Sequence, residues 1–483
     1  MTRRLLKGTL SLCPDCKAVI PAEIFEDQGR VMMSKECPEH GDFEDLYWSD
    51  FHQWERAKRY SCLGDGLENP RTTISQGCPF DCGICPSHRS QTILAIIDVT
   101  NRCNLKCPIC FANAATAGYE YEPSLVQIKR IIDNLATNKP VSVKALQLSG
   151  GEPTLRDDLP EIVQYAHLVG IHHVEVNTNG VRIARDISYL KKLRDANVSS
   201  IYLQFDGVTP EPYKVTRGVD LLPTKMKAIE NLRTLEHDST ILVVTLLKGV
   251  NDDQLGEIIN FAADNHDLIR CVNVQPVSLT GRIDREKLAQ YRITIPDFMR
   301  LVEEQTSGEI KQSDFYPVPT VVPFARAVGA LKGLRYPEFT MHEHCGMATF
   351  VYVEDDRMTP ITRYVNVDAF MKAMNQVAVL ASAGHRFQAK VKMIQTLGHL
   401  KLKVLKPIIS GVVKEGSYQA LGQLTRRLVM IGAMHFMDPY NFDLERVRSC
   451  GIHYGVPDGR IIPFCTMNSI HREQVEKKFS KST

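Results

Sequence analysis

Three cysteines in one short segment have the spacing of an iron–sulfur ligand set. Cys103, Cys107 and Cys110 lie in the run Cys-Asn-Leu-Lys-Cys-Pro-Ile-Cys, and no fourth cysteine completes the set locally. Three thiolates can hold three corners of a [4Fe–4S] cube. The fourth iron would stay open to a ligand that is not protein, and an open iron can react rather than only pass electrons. The spacing therefore predicts a reactive cluster.

The neighbouring sequence narrows the chemistry. A strand-like run, residues 93–99, precedes the cysteines, and Ser149, Gly150, Gly151 and Glu152 follow a second such run. Together, "VTNRCNLKCPIC" and "LSGGEPTL" resemble the radical S-adenosylmethionine (SAM) family. The resemblance implies that the open iron chelates SAM and that the reduced cluster cleaves its sulfonium. The resulting 5′-deoxyadenosyl radical would take a hydrogen atom from the substrate.

Strand-like and helical patterns alternate from residue 92 to about 310. Strands are predicted at 93–99, 143–149, 173–178, 200–206, 241–247 and 271–276, and helices near 123–137, 157–168, 184–195, 221–236 and 252–265. This alternation predicts an α/β fold with a parallel sheet and right-handed crossovers. It matches the partial (β/α)6 barrel that the family resemblance implies.

In parallel α/β folds, ligand sites lie at the carboxyl ends of the strands. That rule selects polar or glycine residues after strands two to six as cofactor contacts: Ser149, Gly150, Gly151, Glu152, Asn177, Asn179, Gln204, Asp206, Asn251 and Gln275. By resemblance, the turn at Gly150–Pro153 contacts the methionine amino group of SAM, and the ends of strands four and five face ribose and adenine. Each of these residues alone could instead serve a turn or a helix cap.

A second cysteine triplet repeats the same spacing upstream. Cys78, Cys82 and Cys85 precede the predicted barrel, whereas only Cys103–Cys110 joins a strand directly to the first barrel helix. We therefore predict an auxiliary [4Fe–4S] cluster in residues 61–92. Its fourth ligand stays open between His88, Cys62 and a distant cysteine.

Residues 1–60 are predicted to form a small module of the rubredoxin or zinc-ribbon kind that a bound metal ion stabilises. Cys13, Cys16, Cys37 and His40 form two knuckles about twenty residues apart and make a tetrahedral Cys3His set. The alternative is that His40 is a turn residue and Cys62 is the fourth ligand. Thiolates bind zinc and iron alike, so the metal stays open.

The C-terminal region, residues 311–483, carries three scattered cysteines. Cys345, Cys450 and Cys465 are predicted to hold a third [4Fe–4S] cluster in a mainly helical domain, the barrel occupying residues 93–310. The alternative is three buried free thiols. Cys271, inside the sixth predicted strand, is better explained as a core residue.

A basic segment lies within that region. Ten Lys or Arg residues and one acid fall between Met371 and Met430, and Met393, Leu397, Leu400 and Val404 recur at helical spacing with Ile394 and Leu405 beside them. A basic amphipathic helix predicts contact with anionic lipid headgroups at a membrane surface. Nucleic acid is not expected, because the segment has few aromatic residues to stack on bases. A solvated helical face is the remaining alternative.

The bulk composition sets outer limits. The chain has 483 residues, 43% hydrophobic and 24% charged, as in globular domains, and a net charge of +2 that specifies no partner. No run approaches 18 apolar residues, so we expect a cytoplasmic protein that can lie peripherally at the membrane. The spacing of its 14 cysteines favours metal ligands over disulfides, and cluster chemistry implies an electron donor such as ferredoxin.

The whole layout resembles the archaeal tetraether lipid synthases, most specifically in the first 155 residues. That resemblance implies hydrogen abstraction from lipid isoprenoid chain ends and their coupling by C–C bonds, with an apolar tunnel leading to Cys103–Cys110 and opening near residues 371–430. Similar sequences also suggest the alternative of a radical SAM methylase of a pterin-type heterocycle. A small polar pocket in place of the tunnel would favour this alternative. A third alternative is a non-catalytic electron carrier, in which protein side chains would ligate every iron of every cluster.

Overall fold

The computed structural model describes residues 3–283, 285–354, 357–398 and 427–480. Its strands form two sheets, a four-stranded one at the N-terminus and a large one that contains the other described strands. The predicted α/β fold is confirmed.

The N-terminal sheet is a four-stranded antiparallel meander, β1 (Arg4–Leu12), β2 (Val19–Asp27), β3 (Arg30–Cys37) and β4 (Gly41–Trp48). Alternate residues of β3 are buried, which is the pattern of a sheet with one covered face. Helix α1 (Phe51–Lys58) follows, and Trp54 on it packs with Trp48 in the main hydrophobic core.

Six parallel strands form the centre of the large sheet, each next to the strand that follows it in the chain. They are β5 (Leu94–Thr100), β6 (Ala145–Gly150), β7 (His173–Thr178), β8 (Ser200–Gln204), β9 (Thr240–Leu246) and β10 (Ile269–Pro276). Every one begins within two residues of its predicted start. Their carboxyl ends therefore meet at one edge.

The crossover helices are α2 (Leu125–Ala136), α3 (Leu159–Leu168), α4 (Val181–Arg185), α5 (Ile187–Asp195), α6 (Pro210–Arg217), α7 (Leu222–Thr234) and α8 (Leu255–Asp264). In α2, Ser124 and Gln127 form a capping box that fixes the first turn. One predicted helix, 184–195, is two helices, because Asp186 ends α4 and its carboxylate caps α5 by accepting a hydrogen bond from the Tyr189 N–H at 3.0 Å.

The chain after the barrel extends both ends of this sheet. β14 (Leu428–Met434) lies parallel to β10 and antiparallel to β12 (Gly346–Glu354), while β15 (Ile452–Gly455) lies parallel to β5. The remaining strands are β11 (Tyr316–Pro317), β13 (Arg357–Pro360) and β16 (Ile461–Pro463). The C-terminal region is thus built onto the same sheet as the barrel.

Further helices follow β10, two of them before residue 311 and the others in the C-terminal region. They are α9 (Arg285–Tyr291), α10 (Ile295–Gln305), α11 (Val322–Lys332), α12 (Val367–Ser382) and α13 (Arg386–Gly398), with short helices at Leu444–Arg448, Phe464–Thr466 and Arg472–Lys478. No helix among the described residues is long and apolar enough to span a bilayer.

The predicted basic amphipathic segment is described only at its two ends. Met393 of α13 is buried against α11 and α12, while Ile394 is 69% exposed. Leu400, Val404, Leu405 and five of the ten basic positions (401, 403, 406, 414 and 426) lie outside the described residues.

Candidate active site

A cavity of about 190 Å³ lies at the carboxyl edge of the six parallel strands. Phe111, Phe464 and Val243 line it along with polar side chains such as Gln147 and Gln204, so it is not the apolar tunnel expected from the sequence. Among the residues predicted from the sequence, those that line it are Cys103, Cys107, Cys110, Ser149, Gly150, Gly151, Glu152, Asn177, Asn179, Gln204 and Gln275.

The loop that carries the three cysteines is held by the segment after β10. Cys110 and Arg282 exchange two backbone hydrogen bonds, at 2.9 and 2.8 Å. The Arg282 guanidinium donates to the carbonyls of Cys107 and Ala114, each at 2.6 Å. Gly281 has a φ of +66°, and a Cβ there would overlap the carbonyl oxygens of Cys110 and Phe111. Only glycine allows this close approach.

The thiols sit in a largely water-excluded setting. Burial raises the pKa of Cys103 to about 12, although the Leu105 N–H approaches its sulfur at 3.4 Å. Burial also raises the pKa of Cys107, and the nearby Arg217 opposes that shift. A metal that binds Cys103 and Cys107 as thiolates must therefore displace their protons.

Glu152 fixes the turn after β6. Its carboxylate is fully buried and accepts hydrogen bonds from Thr154, from the Thr178 hydroxyl at 2.7 Å and from the Asn179 N–H at 2.7 Å. Asn179 in turn donates to Asn104 at 2.7 Å, within the cysteine loop. Glu152 therefore ties the ends of β6 and β7 to that loop.

Two of the predicted cofactor contacts do not line the cavity. Asp206 is fully buried and accepts two hydrogen bonds from Arg217, at 2.6 and 3.0 Å. Asn251 is also fully buried and donates to the carbonyls of Asp206 and Thr245 at 2.8 and 2.9 Å. Both brace the base of the site, and it is Arg217 that reaches the cavity.

Several lining residues come from distant parts of the chain and were not predicted from the sequence. Arg472 donates to Asp98 at 2.5 Å and lies over the Tyr454 ring at 5.2 Å, and Phe464 contacts Phe111 edge-on at 5.9 Å. Asp98 was visible as one charge in an otherwise apolar strand run. Its partner Arg472, 374 residues away, has no comparable signal in the sequence.

Buried Lys225 was also missed. It donates to the Asn179 carbonyl at 2.5 Å and to the Gln204 side chain at 2.9 Å, and burial lowers its pKa to about 7.

The second triplet lines a separate small cavity. Cys78, Cys82 and Cys85 surround it together with His88 and Arg448. A hydrogen bond from Cys82 and the charge of Arg448 lower the pKa of Cys78 despite its burial. His88 Nε2 lies 2.8 Å from the Cys450 carbonyl, and no described contact engages its Nδ1. Cys62, the alternative ligand, lines a different cavity beside His342.

The N-terminal knuckles converge on one point. Ligand atoms of Cys13, Cys16, Cys37 and His40 all lie within 4.8 Å of one another, and the sulfurs of Cys16 and Cys37 are 3.9 Å apart. Two thiolates bound to one tetrahedral ion at about 2.3 Å would be about 3.8 Å apart. The geometry fits a single metal ion and includes His40.

The third set, Cys345, Cys450 and Cys465, also comes together. Burial raises the pKa of Cys465, and neighbouring Cys450 and Cys345 add to that shift. Burial by itself lowers the pKa of Arg446, but its interactions with Cys345, Tyr47 and Cys465 outweigh that effect, so the pKa is raised. Within the part of the chain described, the ligand atoms of Cys13, Cys16, Cys37 and His40 lie within 4.8 Å of one another, whereas the sulfurs of the two CxxxCxxC triplets and of the C-terminal set are spaced more widely. That wider spacing suits a cluster better than one ion.

The radical SAM superfamily matches residues 97–262, and the HMPTM N-terminal zinc ribbon domain matches residues 5–49. A curated protein of Methanocaldococcus jannaschii, 7,8-dihydro-6-hydroxymethylpterin dimethyltransferase, is 48% identical over 98% of this chain and 96% of its own length. The chain belongs to the radical SAM superfamily. It is a radical SAM enzyme, with a [4Fe–4S] cluster and SAM as cofactors and a metal ion in the N-terminal module.

More distant matches cover smaller shares of the chain. Fe-coproporphyrin III synthase of Methanosarcina barkeri is 38% identical over 28% of this chain and 34% of its own length. The crystal structure of Streptococcus suis SuiB bound to S-adenosylmethionine is 18% identical, covers 46% of this chain and 48% of that chain, and has a TM-score of 0.35.

The expectation of lipid chain coupling is wrong on this comparison. The relative that spans nearly the whole chain is described as a methyltransferase of a pterin, which matches the alternative prediction instead. The features that suggested lipid coupling are the N-terminal metal module, the second cysteine triplet, the barrel and the cysteine-bearing C-terminal region. They do not by themselves specify the substrate.

Proposed function

We propose that this enzyme methylates a reduced pterin or a closely similar heterocycle in a SAM-dependent radical reaction. The observation that carries the proposal is the 48% identity, over 98% of the chain, to a protein described as a pterin dimethyltransferase. The mixed lining of the cavity supports it, because planar heterocycles bind between aromatic faces while polar groups fix their orientation.

The residues of the cavity divide into two kinds. Cys103, Cys107 and Cys110 would hold the cluster, whose bound SAM supplies the radical that activates an inert C–H bond. Aromatic Phe464, Tyr454 and Phe111 form one wall, against which the flat ring of a pterin could stack.

Polar side chains would orient the ring. Gln147, Gln204 and Gln275 line the cavity from β6, β8 and β10. Their amide nitrogens donate to Glu175, Asp206 and Tyr202, which holds the three side chains in place beside the ring. The Asp98–Arg472 pair offers a carboxylate to the amino-pyrimidine edge of a pterin. Burial of this pair also helps to exclude water from a radical reaction.

The test is anaerobic incubation with SAM, a reductant and 7,8-dihydro-6-hydroxymethylpterin, followed by mass spectrometry. With one SAM giving the radical, a second SAM giving the methyl group and the reductant giving the electrons, we expect a product heavier by one or two methyl groups, together with 5′-deoxyadenosine and S-adenosylhomocysteine. None of these should form with the Cys103/Cys107/Cys110→Ala variant. Release of 5′-deoxyadenosine with the pterin recovered unchanged would contradict the substrate class and leave the radical SAM assignment standing.

We also propose that α13 contacts an anionic membrane surface. Phe387, Val391 and Ile394 share one face of α13 and are 79%, 39% and 69% exposed, with Arg386 and Lys390 beside them. Exposed apolar groups flanked by cations fit the interfacial region of an anionic bilayer.

Flotation with phosphatidylglycerol vesicles, and with phosphatidylcholine vesicles as the uncharged comparison, tests the membrane proposal. Phe387→Gln should weaken binding to the anionic vesicles, whereas Val126→Gln, 60% exposed on α2, should not. Equal flotation of both variants and the parent would contradict it. The electron donor stays a prediction from the sequence.

A further inference from the structure

His435 is a buried histidine whose two ring nitrogens lack hydrogen-bond partners. It is 2% exposed, and neither Nδ1 nor Nε2 has a partner among the described residues. Other buried histidines are satisfied: His344 pairs with the Trp54 carbonyl at 3.0 Å, His453 with Thr92 at 3.0 Å and His471 with the Pro79 carbonyl at 3.0 Å. A buried polar group without a partner destabilises the fold, so His435 needs an explanation.

The backbone places His435 directly across from Cys345. The His435 N–H donates to the Cys345 carbonyl at 3.0 Å, one step beyond the Gly346–Met434 pair that ends the β12–β14 ladder. Side chains of directly opposed residues share one face of the sheet, with Cβ atoms about 4.5–5.5 Å apart. The imidazole and the thiol therefore lie on the same side.

Arg446 connects His435 to the other thiols. Its guanidinium donates to the His435 carbonyl at 2.8 Å, and it also hydrogen bonds to Cys345 and interacts with Cys465. Arg446 is 1% exposed, and its Nε has no partner. A buried cation with free donor capacity beside three thiols fits a site that carries negative charge when it is filled.

We propose that His435 is the fourth protein ligand of the cluster held by Cys345, Cys450 and Cys465. A neutral imidazole is a good iron ligand, and binding would satisfy one of its two orphaned nitrogens. Histidine in place of a fourth thiolate removes one negative charge from the cluster, which raises its reduction potential. With every iron held by protein, this site would pass electrons and would not bind substrate.

The decisive measurement is pulsed EPR on the full-length enzyme labelled with [15N]histidine. Cys103/Cys107/Cys110→Ala and Cys78/Cys82/Cys85→Ala changes remove the other two triplets, so that a reduced cluster signal can come only from the third set. We expect a directly bound histidine 15N coupling in that signal. The single metal of the knuckle does not give the signal of a reduced [4Fe–4S] cluster.

Variants of His435 then assign the coupling. His435→Ala should abolish it, and His435→Cys should retain four irons at the site with no histidine coupling and a lower reduction potential. His237→Ala serves as control, because that imidazole contacts only the Ser239 carbonyl among the described contacts, at 2.8 Å, in a different region. Absence of histidine coupling in the labelled parent, a coupling that survives His435→Ala, or absence of a cluster at this site would each overturn the proposal.

Discussion

The cysteine loop at Cys103–Cys110 and the third set at Cys345, Cys450 and Cys465 use the same ligands in opposite settings. The first is contiguous in sequence and opens into a cavity of about 190 Å³ at the strand ends. The second is assembled from three separate segments around buried Arg446. The difference teaches that three cysteines do not by themselves define a reactive cluster. What decides is whether the remaining iron faces a cavity or another side chain.

The largest contrast should come from removing each set in turn. Cys103/Cys107/Cys110→Ala should reduce SAM cleavage to background, because no ligands remain beside the cavity. Cys345/Cys450/Cys465→Ala should slow turnover but leave SAM binding intact. Release of 5′-deoxyadenosine and equilibrium binding of SAM separate the two effects. If the second variant also fails to bind SAM while remaining folded, the division between the two sites is wrong.

Breaking the buried ion pair between Arg217 and Asp206, beside the cysteine loop, should have the next largest effect. Arg217→Met leaves the Asp206 carboxylate buried without its partner, and breaking such a pair costs about 3–5 kcal/mol. The matched surface change, Arg233→Met, breaks the exposed pair with Asp267 and should cost less than about 1 kcal/mol. Denaturant unfolding of the two variants measures both values, and equal losses would contradict the buried role of Arg217.

Two glycines with similar backbone angles test how tightly the cysteine loop is held. Gly281 and Gly249 have φ values of +66° and +72°, but only at Gly281 would a Cβ overlap other atoms. Gly249→Ala should cost about 1 kcal/mol from backbone strain alone. Gly281→Ala should in addition displace Cys110 and lower the iron bound per chain. Iron content equal to that of Gly249→Ala would show that the loop does not depend on this contact.

The same contrast explains what the sequence could predict. Strands β5 to β10 and their helices were predicted closely, because buried apolar runs and amphipathic helices alternate regularly there. The strands β15 and β16 were missed, since Ile452–Gly455 and Ile461–Pro463 are too short to show periodicity. Their place beside β5 depends on pairing over more than 350 residues, which no local pattern encodes.

The residues of the candidate site also fall into those that the sequence could predict and those that it could not. Contiguous motifs such as Cys103–Cys110 and Gly150–Pro153 predicted lining residues, because the loop itself brings them to the strand ends. Asp206 and Asn251 follow strands too, but the neighbouring Arg217 and Thr245 turn them into internal braces. Polar residues at strand ends can face a ligand or the protein, and only the partners decide.

The smallest expected effect concerns Lys225, which supports the cavity floor between Asn179 and Gln204. Burial lowers its pKa to about 7, while an unfolded lysine titrates near about 10.4. Between these values the unfolded chain binds a proton that the folded chain does not, so the free energy of unfolding should rise with pH from 7 toward 10. The contribution is fully lost below about pH 7, where both states are charged.

Lys225→Met removes this titratable group, so the free energy of unfolding should rise less steeply between pH 7 and 10. Lys227→Met, two residues further along the same helix and exposed to solvent, should leave the slope unchanged. Denaturant unfolding at several pH values between 7 and 10 gives the comparison. A slope that is the same in Lys225→Met and in the parent enzyme would mean that Lys225 is charged in the fold, and the polar floor of the cavity would then carry a positive charge toward the cysteine loop.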